Sequence, residues 1–197
     1  MTNKILQTSF YNRPTRQVAQ DLLGKIIIRQ IGRKKYYGLI TETEAYCGPQ
    51  DQASHASKGR TPRTEVMFGP AGHTYIYLIY GLYHCFNIVT EKKDYPAAVL
   101  IRGALPLPKE WLGGVTLPLS KREMAEGQRG LASGPGKLCR YFKIDKTLNN
   151  LDITKPNKLW LVDSGLKPQR IIRRPRVGVD YAGKYKDKKW RFITRFS

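Results

Sequence analysis

The sequence predicts an α+β fold in one domain, spanning residues 1–197, built on a mainly antiparallel sheet flanked by helices. Strand-like runs rich in β-branched and aromatic residues follow one another at 25–31, 36–43, 74–80, 83–90 and 97–102. Helix signals are few and gather between these runs instead of alternating with them. The 197 residues suffice for one sizeable core, and no repeat or linker divides them.

The elements follow in chain order. Asn12-Arg13-Pro14 opens a helix, with Pro14 near its first turn and Gly24 just past its end. Residues 25–31 (KIIIRQI) and 36–43 (YYGLITET) are strands joined by a polar turn. Residues 47–73 form a long loop rich in Gly, Pro, Ser and Lys, a length typical of functional or disordered segments. Val66, Met67 and Phe68 within it require that part of the loop packs. Residues 74–80 (TYIYLIY) and 83–90 (YHCFNIVT) make a hairpin around Tyr80-Gly81-Leu82. Residues 97–102 (AAVLIR) are a further strand. Ser120-Lys121-Arg122-Glu123 is a capping-box pattern that opens a helix. Ser133-Gly134-Pro135-Gly136 precedes a second, short helix. Strands return at 158–162, 170–173 and 189–195.

Thirty-five Lys and Arg against 15 Asp and Glu leave a formal net charge of +20, which points to a polyanionic partner such as nucleic acid or an anionic membrane. No apolar run approaches the roughly 20 residues of a spanning helix. Met1 to Phe10 lacks the apolar stretch of a secretory signal, so a soluble, cytoplasmic protein is expected. The C-terminal segment 166–197 is the most basic, with eleven Lys or Arg and two Asp. There Trp190, Phe192 and Phe196 alternate with charges, a pattern for a strand with an apolar inner face and a basic outer face that can track phosphates.

Cys47, Cys85 and Cys139 are odd in number and widely spaced, with no CxxC pair. Neither a disulfide framework nor a structural zinc site is expected. His84 beside Cys85 reads as a strand pair with one side chain on each face. Neither metal nor cofactor is expected.

In Thr41-Glu42-Thr43-Glu44-Ala45-Tyr46, period-2 alternation puts Glu42, Glu44 and Tyr46 on one face. A strand-end carboxylate beside an aromatic and facing a long loop can act as a general base, although such acids are often merely exposed. Spacing does not choose between Glu42 and Glu44. Tyr75, Tyr77, Tyr80 and Tyr83 crowd the hairpin, and core packing accounts for most of them. Tyr80 is the exception, because a large side chain at a hairpin apex has little core to enter. An apex wedge can instead enter a base stack, as in minor-groove binders.

The motifs together resemble the alkyladenine (3-methyladenine) DNA glycosylase family. The resemblance runs in order through Glu42-Thr43-Glu44-Ala45-Tyr46, Gly48-Pro49, Asp51, Ala53-Ser54-His55, Thr61-Pro62-Arg63 and Met67-Phe68. It continues through Tyr75-Ile76-Tyr77-Leu78-Ile79-Tyr80-Gly81, Asn87, Ala98-Val99-Leu100-Ile101-Arg102-Gly103-Ala104, Ser133-Gly134-Pro135-Gly136-Lys137-Leu138 and Arg176-Val177-Gly178-Val179. Any one motif is weak, whereas the ordered set is specific. The absence of a long N-terminal extension is similar to the bacterial members, and Asp180 departs from the small residue found in other members.

The resemblance implies a curved, open barrel-like sheet whose hairpin enters the minor groove of double-stranded DNA. It implies a monofunctional hydrolase, acting as a monomer, that flips alkylated and also deaminated purines from the duplex and leaves an abasic site. It makes Glu44 the base that activates water, held with the help of Arg102 and the Val177 carbonyl. Tyr80 fills the gap left by the flipped nucleotide. Tyr46, His55 and Tyr77 sandwich the base, and the His55 amide addresses its edge. Asn87 rejects the exocyclic amine of normal guanine. Glu42 shares the strand face without matching the catalytic position.

Overall fold

The computed structural model describes residues 4–108 and 132–194; the helix expected from Ser120 lies outside them. Eight strands make one antiparallel, curled sheet of half-barrel form. They are β1 (Ile26–Ile31), β2 (Lys34–Cys47), β3 (Thr74–Ile79), β4 (Tyr83–Val89), β5 (Ala97–Leu107), β6 (Leu159–Val162), β7 (Ile172–Arg174) and β8 (Arg191–Ile193). The main path runs β3-β4-β5-β2-β1-β6, with β8 added to β2 and β7 to β8.

Every predicted strand is present, and β2 and β5 run further than the sequence pattern suggests. Their apolar alternation is interrupted at Glu42, Glu44 and Arg102, of which Glu44 is fully buried and the other two largely so. Along β2, residues 34–39 pair with β1, whereas residues 42–44 pair with β8. The exchange coincides with an irregular step in the β2–β5 ladder around Glu42. Giving one strand two successive neighbours on the same edge is what curls the sheet.

Among the described residues three helices flank the sheet: α1 (Thr8–Tyr11), α2 (Thr15–Asp21) and α3 (Pro135–Phe142). α1 is a single turn with no capping side chain and one buried residue, Tyr11. Pro14 is the N-cap of α2, and Glu91 accepts from the Thr15 amide (3.1 Å) and hydroxyl (2.5 Å) at the helix start. The long 47–73 loop holds two 3-10 turns, at His55–Lys58 and Glu65–Phe68. Met67 is buried against Tyr75, Val89 and Ala98, so the loop is packed as expected.

Alternation divides the sheet into two faces. Ile76, Phe86, Ile88, Val99 and Ile101 join the main core with Leu22, Leu138 and Phe142 from the helical side. α3 packs on β4 and β5, and Gly38 of β2 makes room for its Phe142 ring, since a Cβ there would lie 2.5 Å from that ring. That seat brings Pro135, the first residue of α3, to the edge of a cavity on the other face. There Glu44, Leu100, Asn87 and Tyr75 align as one cross-strand row over four strands.

Candidate active site

Glu44 is 0% exposed. Its Oε1 accepts the Val177 N–H at 2.9 Å, and its Oε2 accepts the Tyr46 hydroxyl at 2.9 Å. Arg102 Nε lies 3.5 Å from Oε1. Burial pushes the Glu44 carboxyl above the usual glutamate range, partly offset by Arg102, the Val177 amide and the Tyr46 hydroxyl. A buried carboxylate with a raised proton affinity and fixed partners has the properties of a general base. Tyr46, also raised chiefly by burial, keeps its proton and can donate it.

Val177 is placed by a buried ion pair. Arg176 donates to Asp51 through Nη1 (2.5 Å) and Nη2 (2.8 Å), and Nη1 also reaches the Ala45 carbonyl at 2.9 Å. Both side chains are 0% exposed. The guanidinium also stacks over Tyr46 (4.8 Å) and Trp190 (5.0 Å). Asp51 further accepts the amides of Cys47 and Ala53. One clamp thus ties the end of β2, the start of the long loop and the Val177 segment together.

Beside this cluster lies a cavity of about 260 Å³ whose wall includes Tyr46, His55, Tyr77, Asn87, Arg102 and Val177. His55 Nδ1 is 2.9 Å from the Tyr75 hydroxyl, and its ring meets Tyr77 edge-on with centroids 4.6 Å apart. Burial, with Arg63 and Lys58 in support, pushes the His55 imidazole down to about 4, so it is neutral at physiological pH. Asn87 is buried, with Nδ2 donating to the Tyr75 carbonyl at 3.0 Å. At the cavity edge the β3–β4 hairpin turns through Tyr80 (φ 52°) and Gly81 (φ 68°). Two successive left-handed residues are the signature of a type I′ turn, for which glycine is suited and tyrosine is not. Tyr80 is held there 84% exposed, where core packing gives it no reason to be.

A family model described as methylpurine-DNA glycosylase matches residues 9–197. The chain belongs to the methylpurine-DNA glycosylase family. As a family member it is a DNA N-glycosylase, a hydrolase of DNA repair. Relatives with the provisional name 3-methyladenine DNA glycosylase match it over nearly full length. One from Methanocella arvoryzae is 47% identical, covering 98% of this chain and 94% of its own. One from Desulfitobacterium hafniense is 43% identical, covering 98% and 97%. One from Clostridium perfringens is 41% identical, covering 96% and 95%.

In this glycosylase the residues singled out from sequence fall in one place. Glu44 lies directly behind the cavity wall, in contact with Tyr46 and Val177, and Tyr80 stands at the cavity edge. The Val177 contact with Glu44 is made by the amide, whereas the resemblance implies a role for the carbonyl. Asp180 is exposed. Cys85 lines the cavity and His84 alternates to the opposite face, as a strand pair requires. Among the described residues no three His, Cys, Asp or Glu gather as a metal site, and no helix is long and apolar enough to cross a membrane.

Sequence reasoning missed three participants. Asp51 and Arg176 appear in the motifs without a role, and their ion pair spans 125 residues. Arg191 belongs to the strand expected to turn a basic face outward. It instead reaches Glu42, with Nη1 at 3.4 Å from Oε1, because β8 pairs with β2 across Glu42–Glu44.

Proposed function

We propose that this glycosylase flips alkylated, and also deaminated, purines out of double-stranded DNA and hydrolyses the N-glycosidic bond with a water activated by Glu44. The observation that carries the reading is the buried Glu44 carboxylate, fixed by the Val177 amide and the Tyr46 hydroxyl behind an aromatic-lined cavity. Water loses a proton to Glu44 as its oxygen bonds to the sugar C1′. The C1′–N bond breaks, and its electron pair leaves with the base. The transition state has oxocarbenium character, which a nearby carboxylate stabilises. Arg102 and the Val177 backbone hold the water.

An N-alkylated purine carries positive charge, so the faces of Tyr46 and Tyr77 attract it, and a neutral His55 does not repel it. Cleavage releases it neutral, which makes it a good leaving group. Asn87 fills the space that the exocyclic amine of guanine would need. No lysine Schiff base enters the scheme, so the product is an abasic site in an unbroken strand. The enzyme acts as a monomer on cytoplasmic DNA, and the +20 charge supports its grip on the phosphates.

The test is a panel of duplexes, each with a single 3-methyladenine, 7-methylguanine, hypoxanthine or normal base, followed by detection of abasic sites. Abasic sites at the alkylated purines are expected. Their absence from every lesion duplex would refute the reading.

Tyr80 supplies the wedge that occupies the vacated stack and offsets part of the cost of extrusion. Stacking on a base is worth about 1–3 kcal/mol, so Tyr80→Ala should weaken lesion-duplex binding by roughly tenfold to a hundredfold. Circular dichroism and thermal unfolding should be unchanged, because the ring contributes little to the core. Unaltered affinity in the folded variant would remove the wedge.

A further inference from the structure

Glu42 has no part in the scheme above, yet it is largely buried and at the centre of a charge cluster. Its Oε1 accepts Arg102 Nε at 3.1 Å and Arg191 Nη1 at 3.4 Å. Arg102 Nε is further from the carboxylate of Glu44, at 3.5 Å. The side chains of Arg102, Glu42 and Arg191 are 14%, 18% and 23% exposed. They come from three adjacent strands, β5, β2 and β8.

The backbone is adapted to this contact. The flanking pairs Ile40–Ala104 and Thr43–Ile101 would set Glu42 opposite Arg102, but the ladder sets it against Gly103. A Cβ at Gly103 would lie 3.2 Å from both Glu42 Cβ and Thr41 Oγ1, so a side chain there would crowd the base of the Glu42 side chain.

An arginine free to pair fully with a buried glutamate would stabilise its anion and weaken it as a base. Here a second carboxylate takes the arginine. We propose that Glu42 and Arg191 are positioning residues that hold Arg102 off a full ion pair with Glu44 and so set the pH at which Glu44 accepts a proton. Glu42, Glu44, Arg102 and Arg191 form a balanced set of two acids and two cations. The other groups facing Glu44 add little net charge. Tyr46 and Cys85 both titrate above their ordinary values and stay protonated, with burial as the main cause. Arg176 is matched by Asp51.

The proposal rests on Glu44 being the base, and the experiment separates the two. Single-turnover excision of an N-alkylated purine, whose departure needs no acid, is measured against pH for the wild type and variants. Glu42→Gln leaves Arg102 to Glu44 alone and tips the set positive. Its acid limb should move down by roughly one pH unit, and its plateau rate should fall by about tenfold. Arg191→Leu tips the set negative and should move the limb up. Arg191→Lys keeps the charge and should leave it in place. The double variant Glu42→Gln/Arg191→Leu restores balance, and its limb should return towards the wild-type position. Lesion-duplex affinity and circular dichroism establish that each variant is folded. Limbs that stay put in both single variants, or move the same way, overturn the charge-balance proposal while leaving Glu44 as the base. Wild-type excision by Glu44→Gln would overturn both.

Discussion

Glu44→Gln is expected to reduce single-turnover excision by roughly three orders of magnitude, the scale of a lost general base. The substitution fits the site. The amide oxygen can take the Val177 N–H, and the amide nitrogen can donate to the Tyr46 hydroxyl, which then accepts instead of donating. No buried partner is stranded, so the fold should be retained. What is lost is the proton acceptor and the negative charge facing the sugar cation. Lesion-duplex affinity in a gel shift should persist or rise, since a carboxylate no longer repels phosphate. In the wild-type enzyme the rate should fall with acid at a pH above the ordinary glutamate range, because burial raises the Glu44 proton affinity. A variant that excises at the wild-type rate would mean that the base lies elsewhere. Glu42→Gln is not an inert control for this experiment, since Glu42 carries Arg102.

The second large effect concerns the clamp between Asp51 and Arg176. Removing one member of a buried ion pair leaves an uncompensated charge and costs about 3–5 kcal/mol. Arg176→Met should therefore lower the melting temperature by on the order of 10 °C. It should also lower excision, because the neighbouring Val177 amide is no longer held on Glu44. Replacing the whole pair by apolar residues is often close to neutral for stability. The double variant Asp51→Leu/Arg176→Met should thus melt higher than either single variant while remaining a poor catalyst. If stability and excision recovered together, the clamp would be a folding element with no role in positioning Val177. Thermal unfolding and single-turnover excision on the same three proteins decide it.

Local pattern carried much of the fold. Runs rich in β-branched and aromatic residues located the strands that the structure describes, and the turn residues Tyr80-Gly81 located the hairpin tip. Period-2 alternation put Glu42, Glu44 and Tyr46 on one face. It could not show that one glutamate is held by two arginines while the other is shielded behind a cavity. The β2–β5 ladder and the arrival of β8 make that distinction. β2 runs on through Glu44, whose buried charge breaks the hydrophobic pattern, and β5 runs on through Gly103 and Pro106, residues that weaken a strand signal.

By itself the sequence determined the α+β class, the basic character of the protein, the strand faces and the ordered motifs that resemble the glycosylase family. Each of these depends on residues a few positions apart or on composition, which no folding is needed to read. Tertiary structure alone decided which charges meet. Arg102 and Glu42 are 60 residues apart, Arg176 and Asp51 125, Val177 and Glu44 133, and Arg191 and Glu42 149. Electrostatic interaction in a buried site depends on ångströms and on exclusion of water, not on spacing along the chain. Strand register and the curl of the sheet set those distances.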